Sequence, residues 1–395
     1  MISQEMLALG RQGSIIRAIF EYGNRRKAEI GADKVYDFSL GNPGVPAPES
    51  VNQAIRKALE NPNPLALHGY TSAPGSMQAR SAVAESISRR FGIPSTPDCI
   101  YMTAGAAASL TVSLKALLLP GEEVLVPIPY FPEYKTFIEN AGGKLTAVAP
   151  DSRMFPDLAD LEKKLTPNVK AIILNSPNNP SGAVYNAEII EKITALLKAK
   201  SLEFGSPIYL ISDEPYRELV WNNEEVPYLP CYYDNSIVCY SYSKSLSIPG
   251  ERIGYIALSP RMQNRQEVFA AVCGAGRSLG FVCAPSLFQA VVAECTEDHS
   301  DFSVYLENRA LLLSALTEYG FECIRPDGAF YLFMKSPEAD ANAFCETAKK
   351  HEILLVPSDE FGIKGYVRIS YCVTTEQIRR SLPAFKRLAA EYGLV

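Results

Sequence analysis

Residues 236–258 read SIVCYSYSKSLSIPGERIGYIAL, and the fold follows from this stretch. Two apolar runs of strand length, 236–240 and 255–258, bracket a segment rich in turn formers. Lys244 stands just past the end of the first run. Ser241 and Ser243 flank it, Arg252 follows eight residues later, and Gly254 leads into the second run. An ε-amine can form an imine, while two hydroxyls and a guanidinium fork can hold a phosphate. The combination suits a ligand carrying both an aldehyde and a phosphate ester. Most lysines in Ser-rich loops are merely solvated, so the rest of the chain has to decide.

Outward from this stretch the pattern alternates. Further strand-like runs occupy 99–103, 123–128, 144–148, 171–174 and 208–211. Helical periodicity appears at 50–59, 78–91, 106–119 and 187–200. In 106–119 the leucines at 110, 114, 117 and 118 form one stripe, ended by Pro120-Gly121. Strand spacings of about 30 residues suit βαβ units. The expected fold class is therefore α/β: a large domain with a mostly parallel seven-stranded sheet flanked by helices. The last third shows helices at 285–295 and 302–319 and short strands at 330–334 and 365–370. Together with the N-terminal segment it is expected to make a smaller α+β domain. The expected division is 1–45 as an N-terminal segment packing with the small domain, 46–285 as the large domain and 286–395 as the small one. Residues 1–27 read as one amphipathic helix, and the Gly- and Pro-rich stretch 41–48 breaks the pattern.

Composition narrows the class. The 395 residues are 47% hydrophobic and 21% charged, ordinary for a globular enzyme and long enough for two domains. A net charge of −6 with dispersed basic residues argues against a nucleic-acid partner. The nine cysteines include no C-x-x-C pair, and the three histidines are far apart, so neither a disulfide framework nor a metal site is expected. No apolar run approaches the roughly 20 residues needed to span a bilayer, and the N-terminus lacks the core of a secretion signal. A cytoplasmic setting is the expectation.

Ligands of open α/β sheets lie beyond the carboxyl ends of the strands, so the residues after each run are the candidates. After 99–103 come Ala104-Gly105-Ala106-Ala107 at a helix start, where small residues expose backbone N–H groups to a phosphate or simply allow close helix packing. After 171–174 comes NSPNNPSG, a turn cluster whose asparagines could donate to a phenolic oxygen. After 208–211 come Ser212-Asp213-Glu214-Pro215-Tyr216. A buried carboxylate there needs a cation such as a protonated pyridine, although Asp is also a good helix cap. Gly105, Asn179, Asp213 and Lys244 each follow a strand-like run, which gathers them along one sheet edge.

At this point the sequence resembles the fold type I pyridoxal-phosphate aminotransferases, the aspartate aminotransferase-like class I/II group. The resemblance runs from about Tyr36 to Leu388 through LGNPGVPAP, Tyr70…Gly75, TAGAAASL, PIPYFPEY, NSPNNPSG, SDEPYRELV, SYSKSLSIPGERIG and YVRIS. It implies amino-group transfer from an L-amino acid to a 2-oxo acid with pyridoxal 5′-phosphate. Lys244 is similar to the Schiff-base lysine that also moves the α-proton. Asp213 resembles the carboxylate that keeps the pyridine nitrogen protonated. Tyr216 and Asn179 resemble donors to the ring's phenolate oxygen, and Phe131 the aromatic stacked on the ring. Ser241, Ser243 and Arg252 resemble phosphate ligands, joined by the backbone of Gly105 and Ala106. Arg368 resembles the bidentate clamp for the substrate α-carboxylate, with Gly41 and Asn179 also on the substrate side. Tyr70 resembles a residue reaching the neighbouring subunit's phosphate, which implies a homodimer with shared sites.

Two points depart from that pattern, and one tempting motif falls away. Ala106 and Ala107 lack the polar side chains many relatives carry there. A second arginine for a dicarboxylate side chain is not placed, Arg277 being the nearest by region. The glycines at 274, 276 and 280 are spaced one residue too long for a dinucleotide fingerprint. Two alternatives stay beside amino transfer: a carbon–sulfur β-lyase on the same scaffold, and a non-catalytic regulatory domain binding the same cofactor. The latter fits poorly, since about 40 residues precede the cofactor domain, too few for a DNA-reading module.

Overall fold

Near-continuous apolar runs become strands buried on both faces once helices cover the sheet, and the central strands here are of that kind. The structure is a computed structural model and describes residues 2–395, the side chain of Gln12 excepted. In chain order the strands are β1 Tyr36–Asp37, β2 Ile100–Thr103, β3 Glu123–Pro127, β4 Lys144–Val148, β5 Val169–Asn175, β6 Tyr209–Asp213 and β7 Ser236–Ser241. They continue with β8 Gly254–Leu258, β9 Cys323–Ile324, β10 Tyr331–Lys335, β11 Ile353–Leu354, β12 Val356–Pro357 and β13 Tyr366–Ser370.

Seven strands form one sheet in the order β2-β8-β7-β6-β5-β3-β4. Pairings from β7 through β4 are parallel, while β8 runs antiparallel to both neighbours. A parallel return needs a crossover of a dozen or more residues, usually helical. The β7–β8 connection is short, holding a four-residue helix, Tyr242–Ser245, and one 3-10 turn, Pro249–Glu251, so the chain turns straight back. The mostly parallel seven-stranded sheet is thus present.

Helices cover both faces. The helix Ala106–Leu117 buries Leu110, Leu114 and Leu117 against Val124, Ile173 and Ile237. On the other face Ile189, Ile193 and Leu197 of the helix Ala187–Phe204 pack with Ile172 and Leu210. Asn186 caps that helix by accepting the Ile189 N–H at 3.1 Å.

The order β12-β13-β10-β9 makes a second, antiparallel sheet, with β1 paired to β11 beside it. Phe330, Tyr331, Phe344 and Phe385 fill its core with Phe38 of the N-terminal segment. Ile19, from the helix Ile15–Ile30, packs on Leu354, Val356 and Phe361. Lys27 pairs with Asp37 at 2.8 Å and Arg26 with Glu352 at 2.6 Å, tying the same helix down.

Two expectations need amendment. The N-terminal stretch is not one helix but two, Gln4–Gln12 and Ile15–Ile30, because Gly13 takes a φ of 57° and Ser14 is extended. The helix Ser286–Cys295 packs through Val291, Val292 and Cys295 on Val51, Ala54, Val83 and Ile87. Its contacts are therefore with the flank of the large sheet, not with the last third of the chain. Among the described residues no helix is long and apolar enough to cross a membrane. The glycines at 274 and 276 lie inside the helix Arg265–Ser278, where a Cβ on Gly276 would collide with the Tyr101 hydroxyl.

Candidate active site

Register brings the strand ends together. Asn175 on β5, Asp213 on β6 and Cys239 on β7 sit side by side. Across the sheet, Thr103 on β2 and Ser241 on β7 both face Gly254 on β8. Because β8 is reversed, its first residue lies at the carboxyl edge of the others, and Arg252 is delivered to that edge two residues earlier. A cleft opens there, lined by Lys244, Asp213, Tyr216, Asn179, Arg252 and Arg368 among others. Gly41, Ala106, Phe131, Ser241 and Ser243 also line it.

Lys244 Nζ donates to the Gly41 carbonyl at 2.7 Å and lies 5.5 Å from the centre of the Phe330 ring. Burial pushes its pKa down to about 8, with Arg252 and Arg368 adding to the shift. An amine with its pKa lowered this far has a sizeable neutral, nucleophilic fraction near physiological pH, which an ordinary lysine lacks.

Asp213 is its chemical opposite. Its pKa is raised to about 7: burial pushes it up, a hydrogen bond from Tyr134 opposes the rise, and neighbouring Glu214 adds a smaller push upward. That bond reaches Oδ2 at 2.5 Å, while Oδ1 is buried without any partner. A buried carboxylate oxygen left over in this way calls for a donor or cation from a ligand.

Arg368 is 2% exposed. It donates from Nη1 to Asn179 Oδ1 at 3.0 Å and from Nη2 to the Ser39 carbonyl at 2.5 Å. Its guanidinium carbon lies 4.5 Å from the Tyr331 ring centre and 5.3 Å from that of Phe361. Nε has no partner. Asn179 is held in turn, its backbone N–H donating to Asn175 Oδ1 at 2.8 Å. The hydroxyls of Tyr216 and Tyr331 are 2.8 Å apart.

At the other end Ser241 Oγ donates to Ser243 Oγ at 2.8 Å, and Arg252 Nη1 lies 3.5 Å from Ser243 Oγ. Arg252 also donates to the carbonyls of Pro249 at 2.9 Å and Ala104 at 3.2 Å. Gly105, with φ of 85°, passes so close that a Cβ would lie 2.7 Å from Arg252 Nη2. The free N–H groups of the helix Ala106–Leu117 open toward the same place. This end of the cleft has the donors an anionic phosphate ester needs.

Phe131 forms an edge-to-face pair with Tyr134, ring centres 5.7 Å apart. Tyr70 alone among the sequence candidates stands apart: it is 91% exposed and does not line this chain's cleft. Sequence reasoning passed over Tyr134, Tyr331, Asn175, Ile16, Leu40 and the Ser39 carbonyl. Tyr134 had a signal, since it lies one helical turn after Phe131 in the same motif. Asn175 had one too, opening the same NSPNNPSG cluster as Asn179; the others act through contacts between segments far apart in the chain.

A family model described as aminotransferase class I and II matches residues 33–385. The chain belongs to that family. This aminotransferase is 31% identical over 363 residues to the aspartate/prephenate aminotransferase of Thermus thermophilus, covering 89% of this chain and 90% of the relative. It is 30% identical over 357 residues to an aspartate aminotransferase of Thermotoga maritima, with 89% and 90% covered. A crystal structure of an amino transferase from Eubacterium rectale superposes with a TM-score of 0.97 at 48% identity, covering 99% of both chains. The aspartate aminotransferase of Thermus thermophilus with maleate gives 0.85 at 27% identity, covering 98% and 99%. The aminotransferase is therefore a fold type I transaminase, an enzyme of pyridoxal-phosphate-dependent amino-group transfer. Neither the β-lyase nor the regulatory alternative is favoured by these relatives.

Proposed function

We propose that this cleft holds pyridoxal 5′-phosphate and moves an amino group between an L-amino acid and a 2-oxo acid, with Lys244, Asp213 and Tyr216 as the catalytic residues. The observation that carries the assignment is the pairing, in one cleft, of a buried amine whose pKa is lowered with a buried carboxylate that has one oxygen to spare. Lys244 would hold the cofactor's aldehyde carbon and Asp213 its ring nitrogen. Tyr216 and Asn179 would hold the ring oxygen, with Phe131 against the ring. Arg252, Ser241, Ser243 and the backbone of Gly105 and Ala106 would take the phosphate. When bound, the cofactor supplies an aldehyde for amine exchange and a ring that withdraws electrons.

The remaining chemistry belongs to the chain. Arg368 binds the substrate α-carboxylate, held in aim by Asn179 and Ser39, with Gly41 beside it. That grip orients the Cα–H bond, and orientation selects which bond breaks. Lys244 Nζ, once released, takes the α-proton and returns it, a task suited to an amine whose pKa lies near working pH. Asp213 keeps its carboxylate opposite the ring nitrogen, stabilising positive charge there.

The division of the chain that best suits this role keeps 1–45 with the small domain and begins the large domain at 46, as expected. We place its end after the helix Ser286–Cys295, near residue 300, on the packing of that helix. Tyr70, exposed together with Leu65 and Met77, supports a homodimer in which Tyr70 reaches the partner's phosphate site. A cytoplasmic setting completes the proposal, supported by nine cysteines that are all free.

The test is borohydride reduction of the protein reconstituted with pyridoxal 5′-phosphate, followed by peptide mapping. A label on Lys244, together with loss of all half-reaction absorbance change in Lys244→Ala, is the expected result. Label elsewhere, or turnover retained in Lys244→Ala, overturns the assignment.

A further inference from the structure

Resting on the amino-transfer reading, we infer that Tyr331 is a positioning residue of this site: its hydroxyl turns the single proton of Tyr216 toward the cofactor's ring oxygen, and its ring supports the guanidinium of Arg368. Tyr331 begins β10 and lines the cleft. At 2% exposed it offers a second subunit almost no surface, so its contacts are set within the chain. In the pairing of β10 with β13, Tyr331 faces Ser370 and Phe333 faces Arg368. Tyr331 and Arg368 are therefore diagonal neighbours, within reach of one another for an aromatic and a long side chain. The guanidinium carbon indeed lies 4.5 Å from the Tyr331 ring centre.

A phenol has one proton to donate. The hydroxyls of Tyr216 and Tyr331 are 2.8 Å apart, and either could donate to the other. Burial raises both pKa values, Tyr331 to about 12 and Tyr216 well above the usual phenol value, so both oxygens keep their protons. Two protons thus meet at one contact, and one of them has to point elsewhere. Arg368 pulls the Tyr331 pKa down against burial, which makes Tyr331 the more acidic phenol and the better donor. The Tyr331 hydroxyl also lies against Gly41, where an added Cβ would overlap it. Tyr331 then donates, Tyr216 accepts, and the Tyr216 proton is left for the ligand in the cleft that Tyr216 lines.

A hydroxyl that accepts a hydrogen bond becomes a stronger donor, because the two bonds polarise one another. Donation to the ring oxygen weakens that oxygen's hold on the proton it shares with the lysine linkage. The pH at which the bound cofactor's absorbance titrates falls accordingly. On the Arg368 side, Asn179 and Ser39 fix the fork by its edges, and the Tyr331 ring attracts it through its face.

The measurement is the pH titration of visible absorbance in the protein loaded with pyridoxal 5′-phosphate, paired with calorimetry of the unreactive carboxylate 4-methylpentanoate. In Tyr331→Phe we expect the midpoint to rise by about one unit while carboxylate affinity stays within about twofold. Tyr216→Phe should raise the midpoint too, and the double variant should raise it no further than Tyr216→Phe alone, since Tyr331 acts through Tyr216. Tyr331→Leu, which loses the ring as well, should bind the carboxylate about tenfold more weakly. Should that variant fail to fold, the phenylalanine variants decide. A Tyr331→Phe midpoint equal to wild type, additive shifts in the double variant, or undiminished carboxylate affinity in a folded Tyr331→Leu overturns the inference and leaves amino transfer standing. A wild-type protein that takes up no pyridoxal 5′-phosphate overturns the amino-transfer reading itself, and the inference with it.

Discussion

Tyr134 Oη donates to Asp213 Oδ2 at 2.5 Å and leaves Oδ1 buried with nothing to bond. The relationship divides the carboxylate into one oxygen fixed by the protein and one reserved for a ligand. The Tyr134 hydroxyl is itself buried, with its pKa well above the usual phenol value through burial and the neighbouring Asp213, so it remains a donor. Hydrogen bonding to the charged form lowers an acid's pKa, opposing the desolvation that raises it. Removing the hydroxyl as Tyr134→Phe should let Asp213 climb further. We expect the acid limb of the pH–kcat profile to move up by about one unit and activity at pH 7 to fall about tenfold. A superimposable profile would show that the phenol does not tune Asp213.

Asp213 also carries a cost in the protein without its cofactor. Its folded pKa of about 7 exceeds the ordinary carboxyl value of 3.8, so the folded state binds the proton more tightly than the unfolded chain. Stability from this group is therefore present below about pH 4 and lost as pH rises toward 7. Asp213→Asn should flatten that slope and stabilise the cofactor-free protein by on the order of 3 kcal/mol at pH 8, while reducing turnover at least about a hundredfold. Urea unfolding at pH 5 and pH 8, for both proteins, measures the difference of slopes. Equal slopes would place the carboxyl pKa in its usual range.

Gly105 faces two demands, a φ of 85° and an approach that puts an added Cβ 2.7 Å from Arg252 Nη2. An L-residue in that backbone region costs about 1–2 kcal/mol, and the guanidinium would have to shift as well. Gly105→Ala should weaken cofactor binding about tenfold, read by equilibrium titration. Lys244 should still take the borohydride label. Unaltered affinity would mean that Arg252 can yield without loss.

Arg368 uses two nitrogens on Asn179 and Ser39 and leaves Nε free. Lysine keeps the charge but not the planar fork. Arg368→Lys should raise KM for amino acids about a hundredfold, or roughly 2.7 kcal/mol of lost binding, while altering kcat less. Simple amines without a carboxylate should react equally well with both proteins. A KM unchanged in the variant would remove Arg368 from the carboxylate.

Much of the architecture was legible because the strands are chemically monotonous. Residues 171–174 of β5 and 237–240 of β7 are buried throughout and read as unbroken apolar runs, so their ends, and the polar residues beyond them, stood out. Asn179, Asp213 and Lys244 could be set on one edge for that reason. The reversed direction of β8 was not legible, since an apolar pentamer says nothing of its polarity; only the shortness of the preceding loop hints at it. Tyr331 was hidden likewise. Its place opposite Tyr216 depends on how the antiparallel sheet meets the parallel one, across 115 residues of chain. Ile16 reaches the cleft because the N-terminal helix packs on Phe361 and Leu354, and Leu40 follows β1, which pairs with β11. The split of that helix at Gly13 rests on a backbone angle that side-chain periodicity does not encode.

The backward run of β8 makes the short loop between Lys244 and Arg252 a calliper. Its two jaws are an amine and a guanidinium, both clamped to the same sheet, and the loop between them sets the gap. Lengthening or trimming residues 245–251 would change the size of molecule the jaws can grip, without altering a single functional group.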